Sequence, residues 1–268
     1  MKFSVHLKKY LEEIKEKRFI ILPIMLIMLS LFFAICATYE SCTINKEQEK
    51  FKAIAAAAAK EESKTSHSTE ITESKDNETI LPQYVKLAQQ NPNLYGWIKI
   101  DDTVLDYPVM HTPDDPEKYL RLNFDNEYSI AGSVFMDYRC SGSSDNIILY
   151  GHNMENGSMF SSILNYQDKK YWEKHKIIHF DTLYKQQDYE VTAAFFDYVH
   201  NADDTGFKYY NFIDSEDEKD FDNAISFFKE KSLYDTGITP QYGDQLLTLS
   251  TCSYHVKNGR FVVVARKI

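Results

Sequence analysis

A mainly β fold, a closed eight-stranded barrel with an N-terminal helix and one long helix inserted between its sixth and seventh strands, is what this sequence predicts. Three observations lead there. Eight short segments, at 97–100, 104–110, 132–136, 147–150, 176–181, 189–198, 245–251 and 261–267, are rich in β-branched and aromatic residues and separated by turn signals. Eight such strands suggest a closed barrel. One long helical pattern, 214–231, places Phe221, Ile225 and Phe228 at helical spacing behind an acidic first turn. The first eighty or so residues carry no globular pattern, so what remains suits one well-cored domain.

From the N-terminus, residues 1–18 hold Lys2, Lys8, Lys9, Lys15, Lys17 and Arg18 against Glu12, Glu13 and Glu16, a net of +3. Residues 19–38 have no charged side chain, and a helix of this length rises about 30 Å, the thickness of a bilayer core. Pro23 falls in its first turn or so, where a missing amide costs little. A cleavable signal peptide is disfavoured because its apolar core is usually about 7–15 residues long. A lipoprotein anchor is disfavoured because Ile35 precedes Cys36. The positive-inside rule keeps residues 1–18 in the cytoplasm and puts the rest outside.

Residues 39–80, rich in Lys, Glu, Ser, Thr and Ala, read as an extracellular stalk, helical near the membrane and disordered beyond. A helix through 81–90, ended near Asn91-Pro92-Asn93, opens the globular part, and shorter helical inserts fall at 116–122 and 159–166. The whole chain carries −10, so the part after residue 18 carries −13, which argues against nucleic acid or anionic lipid as its main partner. There is no phosphate-binding glycine loop and no metal-ligand cluster, and no cofactor is implied. Of four cysteines, Cys36 and Cys42 lie in or beside the apolar run, leaving Cys140 and Cys252, too few for a disulfide framework.

Cys252 ends an apolar strand, and Arg260 opens the next one after a turn containing Asn258-Gly259. A hairpin brings the two together, and a cation beside a thiol favours the thiolate and stabilises a developing oxyanion. A third strand end, in Tyr150-Gly151-His152-Asn153-Met154, delivers a histidine. Cys, His and Arg on three strand ends make a covalent acyl-transfer site, with His152 moving protons. His255, in the turn after Cys252, and His111, after an earlier strand, compete for the histidine role. Ser250, alternating with Thr251, shares the face of Cys252 and is a substrate-contact candidate.

The motifs Thr248-Leu249-Ser250-Thr251-Cys252, Leu149-Tyr150-Gly151-His152-Asn153-Met154 and Gly259-Arg260-Phe261-Val262-Val263-Val264-Ala265-Arg266 resemble those of class B sortases. These are membrane-anchored cysteine transpeptidases of Gram-positive bacteria. The resemblance covers roughly residues 81–268 and makes that span the catalytic domain. It implies Cys252 as nucleophile, His152 as acid and base, and Arg260 as carbonyl and oxyanion ligand. Ser250, Thr251 and Tyr209 become substrate contacts, with the aromatic stretch 207–212 lining a peptide groove. The implied substrates are exported proteins with a C-terminal sorting motif, cleaved after Thr. The implied acceptor is an amine of the peptidoglycan cross-bridge or its lipid-linked precursor, or a pilin lysine. Some relatives place Asp or Glu directly after the cysteine, where this chain has Ser253. A hydrolytic cysteine peptidase with the same site, or a tethered binding module without catalysis, are the other classes open to it.

Overall fold

The computed structural model describes residues 2–65, 79–201 and 203–268. The chain divides into two compact units, Met1–Glu47 and Gln48–Ile268. Helix α1 is Lys2–Thr65, so Pro23 lies inside a helix rather than in its first turn, because the preceding basic segment is itself helical. In the first unit the side chains of Leu22, Ile24, Met25, Leu26, Phe32 and Ile35 are exposed, on a helix long and apolar enough to cross a membrane.

The second unit starts earlier than the sequence reading placed it. Phe51, Ile54, Ala55 and Ala58 recur at 3, 4 and 7 residues and pack into the same core as the barrel, within what was expected to be stalk. Phe51 meets Tyr107 edge-on at 5.4 Å, and Gln48 hydrogen-bonds the Tyr107 hydroxyl at 2.9 Å. The alanine run disguises this face, since its apolar side chains are small and surrounded by Lys and Glu. The rest of the expected stalk, 66–78, lies outside the described residues.

Eight strands close the barrel: β1 (Leu94–Lys99), β2 (Asp106–Met110), β3 (Val134–Met136), β4 (Asn146–Tyr150), β5 (Ile177–Thr182), β6 (Asp188–Tyr198), β7 (Leu246–Cys252) and β8 (Gly259–Lys267). Their order around the barrel is β1-β2-β3-β4-β7-β8-β6-β5. The β2–β3 and β4–β7 pairs are parallel and the other six antiparallel. Parallel pairs need long crossovers, which the helical inserts supply. Helix α2 (Val85–Gln90) buries Leu87 and stops at Asn91, whose side chain ties the Tyr119 hydroxyl and the Phe124 carbonyl. A 3₁₀ segment, Phe160–Gln167, and α3 (Lys169–Lys174) follow β4, and α3 was not anticipated as a separate helix.

The long helix, α4 (Glu218–Lys231), does lie between the sixth and seventh strands. Asp217 caps its N-terminus by accepting from the Asp220 amide, with acids in the first turn and Lys229 and Lys231 in the last, each matching the helix dipole. Phe221, Ala224, Ile225 and Phe228 form its buried stripe, packed with Phe195, Phe212, Val262 and Val264 in a second core on the outside of β6 and β8. Each buried Phe contributes about 1.5–3 kcal/mol.

An ion pair between buried Asp137 and the more exposed Arg139 braces the end of β3 and β4. Asp137 accepts from Arg139 Nε at 2.9 Å, Arg139 Nη2 at 2.8 Å and the Tyr150 hydroxyl at 3.0 Å. Arg139 also donates to the Tyr210 carbonyl, linking this end to the segment before α4. Burial pushes the Asp137 carboxyl pKa up, but the Arg139 hydrogen bonds and charge outweigh it and leave it below the ordinary value. Its folded pKa is therefore below its unfolded one. The stability it contributes is present above the unfolded pKa and is lost as pH falls through the folded pKa. Arg139→Ala is predicted to cost about 1–3 kcal/mol at neutral pH by leaving a buried carboxylate short of donors. Urea titration should show the gap to wild type narrowing as pH falls below the ordinary carboxylate range. A gap unchanged by acid would contradict the assignment.

Candidate active site

The site grows out of the parallel pairing of β4 and β7, in which Asn146 lies beside Leu246 and Tyr150 beside Ser250. The register is pinned by a buried polar contact, Thr248 Oγ1 donating to Asn146 Oδ1 at 2.8 Å, while Asn146 Nδ2 donates to the Phe212 carbonyl at 2.7 Å. Past the end of β4 the two chains stay laced. The Gly151 amide donates to the Ser250 carbonyl at 3.3 Å, Thr251 Oγ1 to the Gly151 carbonyl at 2.7 Å, and Asn153 Nδ2 to the Cys252 carbonyl at 3.0 Å. These bonds carry His152 to the level of Cys252. Gly151 is required there: a Cβ would stand 2.6 Å from the ring of Phe160, which is fully buried.

Cys252 and Arg260 are direct cross-strand partners in the antiparallel β7–β8 hairpin, so their side chains share a face. The hairpin closes with Asn258 at φ 57, a left-handed conformation that Asn tolerates, and with the Ser253 amide donating to the Gly259 carbonyl at 2.9 Å. A Cβ on Gly259 would meet the Ser253 carbonyl at 2.4 Å. Arg260 Nη1 donates to the Gly259 carbonyl at 3.0 Å.

Cys252, His152 and Arg260 line one cavity of about 350 Å³, together with Leu120, Tyr150, Val199, Tyr209, Tyr210, Ser250 and Thr251. His152 Nε2 lies 3.0 Å from the Leu120 carbonyl. A carbonyl only accepts, so Nε2 carries a hydrogen and Nδ1 is the nitrogen free to exchange a proton. The orienting group absent from the sequence reading is thus a backbone oxygen. His255 is exposed, its Nδ1 3.0 Å from Ser253 Oγ and its ring against Phe196. His111 meets Tyr95 edge-on at 5.6 Å, and burial holds its pKa below the ordinary histidine value. Neither lines the cavity.

The three expected substrate contacts have internal partners as well as cavity faces. Ser250 Oγ and the Tyr209 hydroxyl are 2.8 Å apart and both residues are buried, and the Thr251 hydroxyl is spent on Gly151. Of the aromatic stretch 207–212, Tyr209 and Tyr210 line the cavity, whereas Phe207 and Phe212 pack against α4. The sequence reading missed Asn153 and Leu120 as parts of the site. Asn153 alone had a signal, its place directly after His152.

All four cysteines are free. Burial pushes the Cys140 thiol pKa up to about 12, so it is a poor nucleophile at neutral pH. Among the described residues no group of three or more His, Cys, Asp and Glu side chains is arranged to hold a metal ion.

Comparison with known proteins agrees with this geometry. The sequence model of the Sortase domain family matches residues 98–268. Sortase B of Staphylococcus aureus (strain NCTC 8325 / PS 47) is 32% identical over 266 residues, covering 95% of this chain and 98% of the relative. A Staphylococcus aureus sortase B–substrate complex superposes with a TM-score of 0.71 at 30% identity, covering 84% of this chain and 97% of that one. A crystal structure of sortase B complexed with triglycine gives a TM-score of 0.70 at 30% identity, covering 84% and 98%. With the barrel, the inserted helix and the family's sequence pattern all in place, the chain belongs to the sortase family, is of the class B kind, and is a cysteine transpeptidase.

Proposed function

We propose that Cys252 is the nucleophile, His152 the proton carrier and Arg260 the oxyanion ligand of a reaction that cuts a C-terminal sorting signal after Thr and joins the new Thr carboxyl end to an amine. The reading rests on one observation: the three side chains line a single cavity at the ends of neighbouring strands. The Cys252 thiolate attacks the Thr carbonyl carbon, and the oxygen that becomes negative is held by the planar, permanently charged fork of Arg260. Collapse breaks the C–N bond, and the leaving amine takes a proton from His152 Nδ1. The product is a thioester on Cys252. An incoming amine gives a proton back to His152, attacks the thioester carbonyl, and expels the thiolate. The Leu120 carbonyl keeps Nε2 protonated through both halves.

The acceptor is an amine of the cell-wall peptide or its precursor, or a pilin lysine. The relatives solved with a substrate and with triglycine, which presents a free α-amine, support both halves of this reading. Ser250, Thr251 and Tyr209 shape the wall on which the signal lies. In the proposed layout, residues 1–18 are cytoplasmic, 19–38 span the membrane, and 81–268 form an extracellular catalytic domain.

Product analysis tests the reaction. With a peptide carrying a Pro-x-Thr core and triglycine as acceptor, mass spectrometry should find the acyl fragment joined to the amine. His152→Ala should lose about 10²–10⁴-fold in turnover, and His255→Ala should keep most of it. Free acid as the main product despite saturating amine would make the enzyme a peptidase. An intact peptide that nevertheless binds would make it a binding module.

The membrane layout has its own check. Protease added to intact protoplasts should remove the catalytic domain and leave a short N-terminal fragment in the membrane. A soluble, processed form in the medium would contradict a retained anchor.

A further inference from the structure

Cys252, Arg260 and Asp197 form one row of direct neighbours across β7, β8 and β6, with Arg260 in the middle. Opposed residues on antiparallel strands project to the same face, so Asp197 is on the side of the sheet that carries the thiol and the guanidinium. The Asp197 side chain is fully buried, and neither of its carboxylate oxygens has a hydrogen-bond donor. A buried carboxylate left that way is costly, so such groups are found paired.

Two basic groups face it. His200 Nε2 stands 3.4 Å from Asp197 Oδ1 without making a hydrogen bond, and its Nδ1 is 3.5 Å from Asp204. Arg260 is the other, and its bonds in this structure go from Nη1 to the Gly259 and Asn258 carbonyls. Tyr209, in the cavity wall, feels both charges of the row. Burial raises its pKa most, Arg260 pulls it down and Asp197 pushes it up. The residue after the nucleophile, Ser253, is neutral.

We propose that Asp197 is the positioning residue of Arg260, the carboxylate that accepts from the guanidinium and holds its fork toward the oxyanion. This rests on the catalytic role given to Arg260 above. The row supplies from β6 the acidic group that the chain lacks beside its cysteine.

The test is Asp197→Asn in the full chain, read by two rates on the same sample. Transfer of the Pro-x-Thr peptide to triglycine should fall about ten- to a hundredfold in kcat with KM little changed, because the oxyanion contact is made only in the transition state. Alkylation of Cys252 by iodoacetamide should stay at the wild-type rate or rise, since an anion has been removed from the row and the thiolate is favoured. Adding Asp197→Asn to Arg260→Lys should cost little more, and His200→Gln should keep kcat within about threefold, as expected for coupling through Arg260 alone. An unchanged kcat overturns the proposal. So does a joint loss of transfer and alkylation with Cys140 becoming labelled, which would make Asp197 a folding residue, or an equal loss in His200→Gln, which would give the carboxylate to His200. A wild-type chain that transfers nothing while alkylating normally at Cys252 would instead count against the transpeptidation reading.

Discussion

Thr248 Oγ1 donates to Asn146 Oδ1 inside the barrel wall, where both residues are fully buried, and that bond holds β4 and β7 in a parallel register on which the site depends. A slip of one residue would turn every side chain of one strand to the wrong face and leave both polar groups without partners, at about 1–3 kcal/mol each. With the register held, Tyr150 lies beside Ser250, and the segments leaving the two strands deliver His152 and Cys252 to one level. The β7–β8 hairpin adds Arg260 opposite the cysteine, and β6 adds Asp197 beyond it. Cys252, Arg260 and Asp197, and the segment that carries His152, are thus arranged by backbone pairing. That is how a fold pre-organises a site.

The two thiols of the second unit differ in burial and in the charges beside them. Cys140 is 3% exposed and its sulfur lies within hydrogen-bond reach of the Asn146 carbonyl and the Ile148 amide. Its thiolate is disfavoured by burial, and its sulfur serves the wall of the barrel. Cys252 is half-buried at a strand end, opposite a guanidinium and on a cavity. Burial and neighbouring charge, the two factors that set a thiol's reactivity, differ between them.

All eight strands were legible because each is a short run of β-branched and aromatic residues set off by turn signals, and α4 because Phe221, Ile225 and Phe228 announce a helical face. Cys252, His152 and Arg260, which line one cavity, could be singled out because each sits at the end of such a run. What escaped was carried by backbone groups or by strand pairing. The Leu120 carbonyl that holds His152 has no residue-type signature, and Asp197 gains its meaning only from lying opposite Arg260 across a pairing between distant segments. The packing of Phe51 and Ala58 escaped for another reason: a stripe built largely of alanine has helical spacing but little hydrophobic contrast with its flanks.

The central claim is that a covalent step occurs at Cys252 and nowhere else on the chain. Mixing the enzyme with the Pro-x-Thr peptide in the absence of amine, quenching in acid and mapping peptides by mass spectrometry would locate the acyl group. The account predicts a single hydroxylamine-labile adduct on Cys252, released when triglycine is added. An adduct on Cys140, or continued transfer by Cys252→Ala, would contradict it.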